Sequence, residues 1–130
     1  GELVVKRGLV TDLGGLWRLP RIVGPQRAAE LVFTGDIIDA ATAKEYGIVM
    51  DVVAHEELLT CANNLAGRIA ANPPLAVRYL KEGLRRSTWG EYGDLGSWIS
   101  QTLGVLFQTE DHREGVASFL EKREPVFRGR

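Results

Sequence analysis

A chain of 130 residues with 45% apolar content is one domain's length and has enough apolar material for a core. Its 16 basic and 17 acidic residues leave a net charge of −1, which argues against nucleic acid as a partner and against a polybasic membrane anchor. No apolar run approaches the roughly 20 residues of a membrane span and no signal-peptide pattern opens the chain; a single cysteine, Cys61, excludes an internal disulfide and fits a reducing compartment, so the expected setting is cytoplasmic.

The chain opens on Gly1 and runs directly into a strand-like segment, Leu3-Val4-Val5. A strand so short, with no partner nearby, is marginal in water, and this points to a fragment or a processed chain. The stretch from Gly8 to Pro20 follows and holds the most chemistry. It places one carboxylate, Asp12, between an apolar run and a helix-like segment, with Gly8, Gly14 and Gly15 allowing a tight turn and a close approach. Two uses of Asp12 stay open on residue type. Its carboxylate can accept a backbone N–H as a helix cap, or partial desolvation among apolar neighbours can raise its pKa toward that of a proton carrier.

Pro25 suits the first position of a new helix, with Ala28, Ala29, Leu31 and Val32 as its apolar face and Gly35 as its C-terminal cap. Asp39 caps a short helix through Ala40, Ala43 and Tyr46 that ends at Gly47, and the β-branched run from Ile48 to Val53 reads as a strand. From His55 the signal is helical. Leu58, Ala62, Leu65 and Ile69 form one stripe, expected to be buried. Asn72-Pro73-Pro74 breaks that helix and starts the next, in which Val77, Leu80 and Leu84 are expected to face inward. After a break near Ser87 to Gly90, Tyr92, Leu95, Ile99, Leu103 and Leu106 make another stripe, broadened by Trp98 and Phe107. The last helix begins near Thr109, where Asp111 and Glu114 resemble a capping box. Val116, Phe119 and Leu120 form its apolar side, Pro125 ends it, and the tail from Val126 to Arg130 is expected to lie on a surface. Successive helices with such wide apolar faces need partners, so an oligomer is expected rather than a monomer.

Few residues offer chemistry. His55 and His112 lie far apart with no cysteine or carboxylate at ligand spacing, so no metal site is expected. There is no nucleophile elbow and no phosphate-binding Walker or Rossmann loop. Cys61 reads as core packing, and Trp17, Trp89 and Trp98 as packing too. Arg78, Lys81, Arg85 and Arg86 form either a solvated helix face or a site for a phosphate-bearing ligand. Asp12 remains the acid–base candidate, and one carboxylate is not an active site.

Gly8-Leu-Val-Thr-Asp-Leu-Gly-Gly15 followed by Arg18-Leu-Pro-Arg-Ile-Val-Gly24 resembles the GLxPDxGGxxRLPRxVG signature of the crotonase superfamily, the enoyl-CoA hydratase/isomerase family. Further matches follow in family order: Leu31 to Asp36, Ala40 to Val49, Asn72-Pro-Pro-Leu-Ala76, Glu110 to Gly115 and Phe119-Leu-Glu-Lys-Arg123. The resemblance covers essentially the whole chain and implies an α/β crotonase-like fold of which only the C-terminal half is here. Residues 1–53 would be the end of the ββα spiral core, and residues 54–130 the helical region that builds trimers, often paired into hexamers.

The resemblance also implies the chemistry. The family acts on fatty acyl-CoA thioesters through a stabilised enolate and needs no cofactor beyond the CoA of the substrate. Its oxyanion hole comes from a preceding half that this sequence does not contain, so the chain alone would be inactive. Typical hydratases carry a catalytic glutamate four residues before the glycine matched by Gly8, and that position is Val4 here. Asp12 falls where isomerases of the family place an acid–base carboxylate, and Glu2 would point toward or away from the pocket according to strand phase. By the same resemblance Leu13, Gly14 and Trp17 would contact substrate, and Phe119 and Lys122 would contact the CoA adenine and phosphates of a neighbouring subunit. The competing expectation is a non-catalytic truncated or processed crotonase-like piece that serves in assembly.

Overall fold

The structure, a computed structural model, describes residues 2–11, 14–88 and 90–130. It forms two compact units, Gly1–Glu57 and Leu58–Arg130. The described residues are mainly helical, and none of them is in a strand.

In the first unit, Leu3–Arg7 is a 3-10 helix, followed by α1 (Gly15–Val23), α2 (Pro25–Thr34) and α3 (Ala40–Glu45). The expected strand at Leu3-Val4-Val5 is therefore corrected. A lone apolar triplet has no ladder to join, and its backbone instead closes on itself, with Gly8 N–H donating to the Val5 carbonyl at 3.0 Å and Leu9 N–H to the Val4 carbonyl at 3.1 Å. The expected strand from Ile48 to Val53 is corrected for the same reason. Residues 48–50 are bends, and Ile48 N–H caps back onto the Ala43 carbonyl at 2.9 Å.

The helix punctuation follows the residue chemistry. Pro25 sits at the first turn of α2, where its missing N–H costs nothing, and Gly35 caps the other end with its N–H on the Leu31 carbonyl at 3.1 Å. Asp39 caps α3 by accepting the Thr42 N–H at 2.8 Å, and that bond holds its carboxyl below the usual aspartate range. α1 and α2 pack together, and the Leu3–Arg7 helix packs on α2. Among the described residues, the buried apolar ones are Val23, Ala28 and Leu31, all in this unit.

The second unit contains α4 (Leu58–Ala70), α5 (Pro74–Ser87), α6 (Tyr92–Leu106) and α7 (Glu110–Glu121). Pro74 opens α5 as Asn72-Pro73-Pro74 predicts. α5 packs on α6 where Gly83 lets the Trp98 ring approach. A Cβ at Gly83 would stand 2.9 Å from the ring, and Tyr79 tilts against the same ring with centroids 6.4 Å apart.

The helices are where the periodicity puts them, but their apolar stripes are not enclosed. No residue of α4 is buried, and Cys61, expected in a core, is exposed. Leu80 and Leu84 of α5, expected to face inward, stand open, Leu84 at 71% exposure, and Tyr92 of α6 is 90% exposed. Between α5 and α6 runs an apolar groove of about 420 Å³ lined by Leu80, Leu84, Trp98, Ile99 and Leu103. Among the described residues, those buried in this unit are polar: Thr102, Asp111 and Ser118. Among the described residues, no helix is long and apolar enough to cross a membrane.

Candidate functional site

The residues expected to carry chemistry fall into two groups, one in each unit. In the first unit residues 8–14 lie in sequence between the 3-10 helix and α1. Asp12 and Leu13, the proton carrier and one of the substrate contacts expected from the sequence, lie outside the described residues. What surrounds them in the chain is defined. Gly8 and Gly14 are both left-handed, with φ of 71° and 81°, and Gly14 occupies the N-cap of α1. The Gly14 carbonyl accepts the N–H groups of Trp17 at 3.1 Å and Arg18 at 2.8 Å, which ties Gly14 to the first helical turn.

Thr11, the residue before Asp12, donates its hydroxyl to a carboxylate oxygen of Glu2. Strand alternation left the direction of Glu2 open; the 3-10 helix turns it back onto this loop. The charge of Glu2 is thereby brought beside the chain neighbour of Asp12, a pairing that residue spacing did not foretell. Val4 contributes its carbonyl to the turn and nothing ionisable.

Gly15 explains the paired glycines of the motif. A Cβ there would lie 2.8 Å from the Thr11 Oγ1 and 2.9 Å from its Cγ2, closer than real side chains tolerate. Gly15→Ala is therefore expected to push the Thr11 side chain off Glu2 and to destabilise the first unit by about 1–2 kcal/mol, an overpacking cost. The midpoint of urea unfolding measures it, and an unchanged midpoint would show that the loop yields freely.

Trp17 has one ring face covered. The Arg21 guanidinium lies 3.6 Å from the ring centroid while its Nη1 donates to the Trp17 carbonyl at 2.8 Å. The tryptophan is thus held at an (i, i+4) cation–π contact on the same short helix that Gly14 starts.

In the second unit, Phe119 is 81% exposed on α7 and Lys122 lies at the helix end. Thr109 is the N-cap of α7, accepting the His112 N–H at 3.1 Å. Asp111 and Glu114, expected as a capping box, do something else. Asp111, only 3% exposed, accepts the Arg128 and Gly129 N–H groups at 2.6 and 2.8 Å, and its own N–H donates to the Arg130 carbonyl at 3.1 Å. Glu114 accepts the Val126 N–H at 2.8 Å and a forked pair of bonds from Arg123 at 2.6 and 2.7 Å. The Arg123 guanidinium, with the Val126 N–H, holds the Glu114 carboxyl down at about 2, so it is charged at any ordinary pH. The tail lies on the surface as expected, with Val126 at 65% exposure, and these bonds strap it along α7.

The basic cluster of α5 is partly spent. Glu82 accepts from Arg85 at 2.9 and 3.0 Å and from Arg86 at 2.9 Å, and Arg86 also leans over the Trp98 ring at 5.2 Å. Two of the four cations thus share one carboxylate, which offsets one of their two charges and ties both side chains down along α5. Among the described residues no three His, Cys, Asp or Glu side chains gather as metal ligands.

The family model described as enoyl-CoA hydratase/isomerase matches residues 2–130. The chain belongs to the enoyl-CoA hydratase/isomerase family. It is 39% identical over 127 residues to the crotonyl-CoA hydratase of Syntrophomonas wolfei, a match covering 98% of this chain and 49% of that protein. It is 37% identical over 129 residues to the carnitinyl-CoA dehydratase of Escherichia coli O157:H7, covering 96% of this chain and 49% of the relative. Its fold matches the crystal structure of enoyl-CoA hydratase from Bacillus anthracis with a TM-score of 0.93 at 36% identity, over 98% of this chain and 50% of that one. This enoyl-CoA hydratase/isomerase family chain therefore spans about half the length of these relatives.

Proposed function

We propose that this chain supplies the acid–base half of an enoyl-CoA hydratase/isomerase site acting on fatty acyl-CoA thioesters. What supports the reading is the family match over residues 2–130, together with relatives named as a crotonyl-CoA hydratase and a carnitinyl-CoA dehydratase. On this reading residues 1–53 close the spiral core and residues 54–130 form a helical oligomerisation region. The unenclosed apolar faces of α5 and α6 are what a trimer or hexamer would cover.

The chemistry assigned to the chain is proton transfer. Thioester enolisation needs a base near the acyl carbons and hydrogen-bond donors at the thioester oxygen. Asp12 is the carboxylate for the first task, and its chain neighbour Thr11 is held by the Thr11–Glu2 hydrogen bond. Leu13, Gly14 and Trp17 line the acyl-CoA beside it. The oxyanion donors are assigned to residues that this chain does not contain. The CoA is part of the substrate, and no separate cofactor enters the reading. A cytoplasmic setting accords with the single, exposed Cys61.

The test is hydration of crotonyl-CoA, followed by loss of the conjugated thioester absorbance. The intact protein is expected to turn over and the 130-residue chain alone is not. Failure of the intact protein on crotonyl-CoA and longer enoyl-CoA esters, both for hydration and for double-bond migration, would overturn the reading.

A second reading, a non-catalytic assembly piece, is favoured by one observation: Val4 stands where the family resemblance calls for a glutamate. The intact mass of the native protein separates the two. A native polypeptide about twice the 14.3 kDa of this chain supports the enzyme, and one of 14.3 kDa supports the assembly piece.

A further inference from the structure

Reading Lys122 as a residue that meets the phosphates of acyl-CoA raises the question of what fixes it, and the inference below rests on that reading. α7 ends at Glu121, and Lys122 closes it in the left-handed conformation at φ 52°, the one non-glycine residue at positive φ among those described. Its N–H reaches the Phe119 carbonyl at 3.4 Å. The residues on either side are both fastened by the same guanidinium. Arg123 donates Nε to Glu121 at 2.5 Å and both Nη groups to Glu114 at 2.6 and 2.7 Å, while its N–H donates to the Ser118 carbonyl at 3.0 Å. Glu114 is itself held from the other side by the Val126 N–H.

Two consequences follow for Lys122. The guanidinium bridges across it from Arg123 to Glu121, so the left-handed turn is closed by a charge-assisted brace rather than left to an intrinsic preference that opposes it. The brace also occupies the Glu121 carboxylate, which would otherwise compete for the neighbouring ammonium. Among the described residues the Lys122 ammonium joins no ion pair.

We propose that Glu114, acting through Arg123, is a positioning residue for Lys122. It locks the turn at the end of α7 and keeps the ammonium uncommitted for the phosphate groups of an acyl-CoA.

The experiment is isothermal titration of the intact protein with acetyl-CoA and with its 3′-dephospho analogue. The unmodified protein is expected to prefer acetyl-CoA and Lys122→Ala to lose that preference. Glu114→Gln keeps the shape but gives up the charge that grips the fork. It is expected to weaken acetyl-CoA binding on the order of tenfold, to leave the dephospho analogue nearly unaffected and, in a separate crotonyl-CoA hydration assay, to raise KM rather than lower kcat. Arg123→Lys, which keeps the charge but not the fork, is expected to shift the preference the same way, and it decides the matter if Glu114→Gln folds poorly. A merely structural brace would lower the unfolding midpoint and weaken both ligands equally. If Glu114→Gln and Arg123→Lys keep the full preference while Lys122→Ala loses it, the positioning role is overturned and the phosphate role of Lys122 stands. If Lys122→Ala binds acetyl-CoA as tightly as the unmodified protein, the phosphate role falls and the positioning role falls with it.

Discussion

Replacing Asp12 with asparagine in the intact protein is expected to lower turnover of an enoyl-CoA by about 10²- to 10⁴-fold, the usual contribution of a positioned acid–base group. Asparagine fills the same space and keeps a carbonyl acceptor, but it cannot take up a proton at any accessible pH. The loss therefore belongs in kcat, with KM close to its original value, because ground-state contacts to the thioester are left in place. The check is the rate of crotonyl-CoA hydration and of double-bond migration, each across a pH series. Turnover within a few-fold of the original would remove Asp12 as the proton carrier. Glu2 would then be the next carboxylate to test, since the Thr11 hydroxyl holds it against the same loop.

Asp111→Ala is expected to destabilise the second unit by about 2–4 kcal/mol. The carboxylate is 3% exposed and accepts two backbone N–H groups of the tail, and hydrogen bonds to a charged group contribute about 1.5–3 kcal/mol each. The sum of the two bonds, about 3–6 kcal/mol, is cut back throughout because the freed N–H groups of Arg128 and Gly129 can turn to water once the tail lifts. Chemical unfolding monitored by tryptophan fluorescence measures the effect, with amide hydrogen exchange at residues 126–130 reporting the tail directly. Asp111→Asn, which retains one acceptor oxygen, is expected to lose roughly half as much. A midpoint unmoved by alanine, with the tail amides still protected, would show that Glu114 alone suffices to hold the tail.

The helices of this chain were legible because their ends are written in residues with one strong local preference. Pro25, Gly35, Asp39 and Pro74 each sit where their own backbone or side-chain chemistry puts them. The strands were misjudged because β-branched runs state only that a segment would suit a sheet, while a sheet needs a neighbour. Leu3-Val4-Val5 and Ile48 to Val53 have none among the described residues, and local hydrogen bonds took the backbone instead. Periodicity located the stripes of α4, α5 and α6 but misplaced them relative to solvent, since a period of 3.6 reports that one face is apolar and not what covers it.

The site was legible only in part. The Gly8 to Gly24 motif pointed to the family, and the family match over residues 2–130 fits it. The Glu2–Thr11 contact and the Asp111 and Glu114 bonds to the tail were missed, for a shared reason. Each joins residues nine or more positions apart, and helical spacing rules see only three and four. Asp111 and Glu114 in particular matched the pattern of a capping box, but the neighbouring Thr109 had already met the need for a cap.

The strap along α7 grips the tail mainly by its N–H groups at positions 126, 128 and 129, the charge of Arg128 adding only a lesser attraction to Glu114. Arg128 can therefore be exchanged for almost any other residue without unfastening it, and the surface chemistry of the tail is free to drift while its course stays fixed. The exceptions are set by the backbone. Proline at any of the three positions deletes a donor. At Gly129, where φ is +75°, every side chain meets backbone strain, although Pro74 at 3.6 Å from the place a Cβ would take is only in ordinary contact. A library randomised over residues 126–130 and selected for folding should return varied chemistry at 128, a near-invariant glycine at 129, and no prolines at 126 or 128.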